Sequence, residues 1–198
     1  MNPIVFDTDC GSALQINISL TDKINNINLF ARNDLYNNPQ ESELILNSIG
    51  GILKNINSNL LLYINNEKCL KRFEINRNIN IFNNNKYPAP TFISWGINNR
   101  TTAIRIPTPS TVDIKKYKEE DKNNRRIEFR VPSSIANIDM TLIGVITSII
   151  EGLDNNLKPN IEKTSYNVLY KNTNLEAIQN NYKILNDVFA INEDVLYF

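Results

Sequence analysis

The sequence predicts an α+β protein, a curved antiparallel sheet packed on long helices, and three observations carry that prediction. Several short segments alternate apolar and polar residues with a period of two. Longer segments repeat apolar residues at helical spacing. The 198 residues suffice for one domain with a core of its own.

Taken in order, Ala13–Leu20 reads as a strand with Leu14, Ile16, Ile18 and Leu20 on one face and Gln15, Asn17 and Ser19 on the other. A helix follows from Glu41 to about Ile64, where Leu44, Ile45, Ile49, Ile52, Leu53 and Ile56 form one stripe. Gly50-Gly51 interrupts it at about 1 kcal/mol per glycine, which close packing against another element would offset. The polar stretch from Asn76 to Lys86 reads as an irregular loop. Strands are expected at Thr91–Trp95 and Thr101–Pro107. A mixed-charge solvated loop is expected at Lys115–Asn124. Arg126–Pro132 alternates again, with Arg126, Glu128 and Arg130 opposite Ile127, Phe129 and Val131. From Ala136 to Leu153 the apolar residues run nearly all round a helix, which predicts burial. A last helix is expected from Leu175 to about Phe189, and there is no internal repeat.

Composition narrows the chemistry. There is no histidine, which excludes a catalytic triad, an imidazole base and His-ligated metal. Two cysteines, Cys10 and Cys69, are too few for a disulfide framework or a Cys-rich zinc site. Lys plus Arg number 21 and Asp plus Glu number 21, so no general field favours nucleic acid or an anionic membrane as a partner. Apolar runs such as Leu60–Ile64 and Leu142–Ile146 fall far short of the roughly 20 residues of a membrane span. Met1-Asn2-Pro3 lacks the pattern of a signal peptide, and a cytoplasmic location is the expectation. The 35 asparagines fit drift in an AT-rich genome and, being poor formers of helix and strand, predict a marginally stable chain.

The arginines are the candidate site. Arg126, Glu128 and Arg130 share a strand face at about 6.8 Å spacing. Arg105 on a neighbouring strand and Arg100 just before it would place several guanidiniums around one carboxylate. Guanidinium offers planar paired donors to a polyanion such as phosphate, and the carboxylate could ligate a Mg²⁺ carried by it. An ordinary exposed face, whose ion pairs contribute about 0–1 kcal/mol each, stands beside that reading. Gly11-Ser12 and Gly50-Gly51 have no phosphate-loop spacing, and Ser133-Ser134 has no base partner.

Ala89-Pro90 through Trp95-Gly96, then Asn99-Arg100-Thr101-Thr102-Ala103-Ile104-Arg105-Ile106-Pro107, resembles the glutamine synthetase signature in which an NR-led strand ending IRIP follows an AP segment. Arg126-Ile127-Glu128-Phe129-Arg130-Val131-Pro132 with Ala136-Asn137 is similar to that family's RIExRxP…AN motif. Asp9-Cys10-Gly11-Ser12 through Leu20 resembles its DNGS…HxHxSL strand. Leu29-Phe30, Tyr36 and Ile49-Gly50-Gly51 match later landmarks in the same order. The resemblance runs from about Pro3 to Asp187.

It implies a truncated glutamine synthetase-like catalytic domain over residues 1–198, without the family's N-terminal β-grasp domain. The ancestral reaction would be ATP-dependent γ-glutamyl ligation, with ATP and Mg²⁺ or Mn²⁺ as cofactors and glutamate as substrate. Arg100 would be catalytic; Arg105, Arg126 and Ser19 would face ATP and its phosphates. Gly11, Arg72 and Arg130 would hold glutamate, and Glu128 would ligate the metal. The departures are equally specific: Gln15 and Asn17 stand where the family has histidines, Cys10 where it has asparagine, and Tyr87-Pro88-Ala89-Pro90 lacks the flap glutamate. Glu128 is the one family metal carboxylate left, and one carboxylate cannot hold a two-metal site. Three expectations follow: a chain inactive by itself that retains anion binding, half of a split ligase for ammonia or amines, or a non-catalytic module regulating an intact synthetase ring. A homo-oligomer or association with another synthetase chain accompanies these readings.

Overall fold

The computed structural model describes residues 3–32, 41–108, 113–160 and 163. Four three-residue strands, β1 (Ile16–Ile18), β2 (Trp95–Ile97), β3 (Ile104–Ile106) and β4 (Ile127–Phe129), form one open sheet in the order β1-β4-β3-β2. Around it lie α1 (Glu43–Asn55), α2 (Leu60–Tyr63), a 3₁₀ segment (Glu67–Phe73), α3 (Ile75–Asn83), α4 (Ile114–Asn124) and α5 (Ile138–Asp154). The class is α+β, as the sequence predicts.

The sheet is mixed, not wholly antiparallel. β4 runs antiparallel to β1 and β3, but β2 and β3 are parallel, Trp95 opposite Ile104 and Ile97 opposite Ile106. Parallel neighbours ordinarily need a long crossover. Here the chain doubles back within residues 98–103 because Asn98 takes φ 51° and Asn99 ties the loop, its side chain accepting from the Thr101 N–H (2.9 Å) and hydroxyl (2.6 Å). That loop takes the first half of the strand expected from Thr101.

The alternation of the strands sorts the two faces. Ile104, Ile106, Ile127 and Phe129 are fully buried, and Phe129 meets Tyr63 edge to face at 4.9 Å. With Ile45, Ile49, Ile52 and Val145 they make the core between sheet and helices. The opposite face carries a cross-strand row in register: Asn17, Glu128, Arg105, Gly96. That row is the floor of the site.

Several expectations change. The helix expected from Glu41 to Ile64 is two: α1 stops at Asn55 and α2 begins after Asn59, whose amide does not cap the helix but donates to Ser148 Oγ at 3.1 Å. Residues 76–86, expected as loop, are mostly α3. Asn78 is buried there, its amide donating to Arg72 O (2.8 Å) and Thr91 Oγ1 (2.7 Å), so an apparently polar run has an inward face. The charged stretch 115–124 is α4, started by Asp113, whose carboxylate accepts from Lys115 N and Lys116 N. The helix expected at Leu175–Phe189 and the landmark Tyr36 lie outside the described residues.

α5 forms where expected but is not buried all round. Asn137 caps it, accepting from Met140 N at 3.1 Å. Its inward face is Thr141, Gly144, Val145, Ser148, Ile149 and Gly152, while Met140, Leu142, Ile143, Ile146 and Ile150 are exposed, Ile143 at 53%. Ser148 and Gly152 are small because α1 crosses there at backbone contact. A Cβ on Gly51 would fall on the Ser148 carbonyl oxygen and 2.8 Å from Gly152 Cα. The expected offset for Gly50-Gly51 is therefore met. Among the described residues no helix is long and apolar enough to cross a membrane.

A buried ion-pair cluster fastens α4 and the start of β4 to the rest. Arg125, fully buried, reaches the Glu41 carboxylate and Asp121 (3.2 Å); Asp121 also accepts from Arg32 at 2.7 Å.

Candidate functional site

One open cleft of about 380 Å³ lies over the polar face of the sheet. Arg72, Arg100, Arg105, Arg126, Arg130 and Glu128 all line it, with Gly11 at its edge. β3 and β4 aim Arg105 and Glu128 inward by alternation, since their neighbours Ile104, Ile106, Ile127 and Phe129 are committed to the core. Arg126 and Arg130 flank β4 on the same side of the chain. Ser19, one residue beyond β1, is exposed and does not line the cleft.

The carboxylate is heavily engaged. Glu128 Oε2 accepts from Arg105 Nη1 at 2.7 Å, and Oε1 accepts from Arg130 Nη1 at 2.5 Å. The Gln15 amide serves both neighbours in one orientation, its nitrogen donating to Glu128 Oε1 (2.8 Å) and its oxygen accepting from Arg130 Nη1 (3.2 Å). Arg105 also donates to Asn98 Oδ1 (2.7 Å), and Arg126 Nε donates to Asn17 Oδ1 (2.9 Å). The carboxamides of Gln15 and Asn17 therefore act as partners for the charged side chains.

The guanidiniums are far less satisfied. Arg72 is fully buried, donates to Val131 O at 3.3 Å and sits over the Phe73 ring at 5.3 Å. Its Nε and Nη2 have no partner, and neither do the Nε atoms of Arg105 and Arg130. Burial disfavours the charged form and pulls the Arg72 pKa down to about 10, leaving it a cation at neutral pH. Burial likewise lowers Arg130, against the opposing pull of Glu128. A buried cation without a counter-charge is costly, and an anion in the cleft removes that cost. Gly11 makes room for Arg72: a Cβ there would come within 2.8 Å of Arg72 Cγ.

Two cleft residues escaped the sequence reading as contributors. Tyr87 lies beneath Arg100, whose guanidinium carbon is 4.8 Å from the ring centroid. Cys10 ties the two rims together, its thiol donating to Tyr87 O at 3.1 Å. A charged residue ten or more positions from an aromatic gives no local signal of such stacking.

The donor set is also the wrong one for a divalent ion. Mg²⁺ or Mn²⁺ asks for several oxygen ligands, chiefly carboxylates and water. Among the described residues no three Asp, Glu, Cys or His side chains gather to offer them. Glu128 already receives three donors. These residues do not fit a divalent metal centre.

Comparison with known proteins bears on the same residues. The family described as glutamine synthetase, catalytic domain, matches residues 1–187. The gamma-glutamylputrescine synthetase PuuA of Escherichia coli is 28% identical over 152 residues, 77% of this chain and 27% of that protein. A glutamine synthetase of Thermococcus kodakarensis is 30% identical over 118 residues, 60% of this chain and 22% of the relative. That of Helicobacter pylori is 26% identical over 151 residues, 76% and 26% respectively. The chain spans about a quarter of the length of these relatives.

Proposed function

The chain belongs to the glutamine synthetase family through its catalytic domain, and on that premise we propose that these 198 residues hold the anion-binding part of an ATP-dependent γ-glutamyl ligase centre and do not complete the reaction by themselves. The observation that carries this reading is the cleft itself: five guanidiniums, one of them buried and largely unpartnered, around one carboxylate that two of them already neutralise. Such a wall suits phosphate and carboxylate oxygens, which accept paired N–H donors.

In the family reaction the γ-carboxylate of glutamate attacks the terminal phosphoryl group of ATP, and ADP leaves. The γ-glutamyl phosphate then yields to an amine, releasing phosphate. Positioned cations on the transferred oxygens supply much of the stabilisation in phosphoryl transfer. In this reading Arg100, Arg105 and Arg126 face phosphate oxygens. Arg130, Arg72 and the Gly11 backbone face the glutamate carboxylate. A nucleotide contact by Ser19 requires the ligand to extend past the cleft along β1. What these residues lack is a base for the incoming amine and a set of metal carboxylates. ATP and glutamate are therefore ligands here, and turnover would need groups supplied from elsewhere, by a further copy or by another synthetase chain.

A second reading has a specific observation behind it: the chain as half of a split ligase acting on amines. The putrescine-ligating relative and the flap segment Tyr87-Pro88-Ala89-Pro90, without a glutamate, support it. One assay tests whether the chain completes the reaction by itself, which neither reading expects. ATP- and glutamate-dependent ADP release is measured with Mg²⁺ or Mn²⁺, with ammonium or putrescine as acceptor, for the wild type and Arg100→Ala. No turnover above background is the expected result. Release that Arg100→Ala abolishes would overturn the proposal and favour a self-sufficient enzyme.

Binding is measured separately. ATP or phosphate at 100 times its Kd is expected to stabilise the fold by about 2.7 kcal/mol, a rise in Tm of roughly 5–10 °C, and Arg105→Ala is expected to abolish the rise. An unchanged melting curve at saturating ATP removes the anion site from the proposal.

A further inference from the structure

Glu128 occupies the centre of the charged row, yet its surroundings are those of a counter-ion and not of a metal ligand. Arg105 and Arg130 each present an Nη1 to a different carboxylate oxygen, and the Gln15 amide adds a third donor. The side chain is 6% exposed, and every group directed at its oxygens is a donor. A cation arriving there would face two guanidiniums at close range. Among the residues that line the cleft, the unfilled hydrogen-bonding capacity lies on the cationic side instead, at four buried nitrogens, Arg72 Nε and Nη2, Arg105 Nε and Arg130 Nε. These are donors, and only an acceptor can satisfy them.

We infer that the cleft binds a phosphate-type oxyanion directly on its guanidiniums with no divalent cation, and that Glu128 serves as an internal counter-ion with which the ligand competes. This rests on the reading of the cleft as an anion site and adds to it the mode of recognition. In the metal-bridged arrangement the ligand would need Glu128. In this one the ligand and the carboxylate share Arg105 and Arg130, so neutralising the carboxylate strengthens binding.

The test is calorimetric titration of the 198-residue protein with inorganic pyrophosphate, once with a chelator present and once with excess Mg²⁺. The expected Kd with chelator is equal to, or lower than, that with Mg²⁺, because Mg²⁺ sequesters the probe in solution and adds nothing at the site. Binding at least tenfold tighter with Mg²⁺ would overturn the inference while leaving the anion site intact. Absence of binding under both conditions would remove the anion site together with the inference. Glu128→Gln adds a signed prediction: pyrophosphate affinity without metal is expected to rise at least fivefold, and a fivefold fall would overturn the counter-ion role. The chelator comparison uses the unaltered protein and decides the matter whether or not that variant folds.

Discussion

Replacing Arg125 with methionine is expected to cost about 3–5 kcal/mol of stability, read as a lower urea midpoint at unchanged slope. Arg125 is fully buried and holds two carboxylates, Glu41 and Asp121, whose side chains are 6% and 1% exposed. Methionine fills much of the same space but leaves both carboxylates facing an apolar group. Asp121 retains Arg32 at 2.7 Å and the Arg32 backbone N–H, whereas Glu41 has no second cation among the described residues. Adding Glu41→Leu to Arg125→Met is therefore expected to recover a substantial part of the loss, because a stranded charge is removed along with its partner. A loss below about 1 kcal/mol in the single variant would mean that water reaches the cluster and that α4 is held by other contacts.

Gly51→Ala is the second large effect, with an expected net loss of about 2 kcal/mol or more, because overpacking that moves backbone outweighs the gain in helix propensity. The added methyl would meet the Ser148 carbonyl oxygen and the backbone of Gly152, none of which can rotate away. Gly144→Ala on α5 is the internal control. Its methyl would meet Leu62 Cδ1 at 2.9 Å and the Tyr63 ring at 3.1 Å, side chains that can shift. The expected change there is within about 1 kcal/mol, since propensity and crowding nearly cancel. Equal losses at the two positions, in thermal or urea unfolding, would show that α1 and α5 do not meet backbone to backbone.

Much of the architecture was legible because periodicity reports burial. The pairs Ile127/Phe129 and Ile104/Ile106 alternate with Glu128 and Arg105, and that alternation alone places the core on one face and the charged row on the other. The glycine pair in α1 was legible as a close crossing, for a helix keeps such residues only where something leaves no room for a Cβ. The parallel pairing of β2 with β3 was not legible. It depends on Asn98 at positive φ and on hydrogen bonds of Asn99 that extend over three residues. Asparagine was read as drift, yet all four positive-φ residues other than glycine among the described ones are asparagines: Asn26, Asn85, Asn98 and Asn156. Its short polar side chain tolerates that conformation, and it also caps α5 through Asn137. The same residue misled at α3, where Asn78 is an inward-facing tie between the 3₁₀ segment and Thr91. Of the site, the sequence located the guanidiniums but not their state. That Glu128 is shared by two of them, and that Arg72 is buried without a counter-charge, follow from tertiary distances that no spacing encodes.

The outward isoleucines of α5 have a consequence for the molecule's place in a larger whole. The helix turns Gly144, Ser148 and Gly152 toward α1 and α2 and carries bulky aliphatics on its other flank, where no described element packs against it. Covering that flank would remove from water five half-exposed hydrocarbon side chains, each contributing about 1 kcal/mol. A surface of matching shape laid against that flank would release adhesion energy of that size.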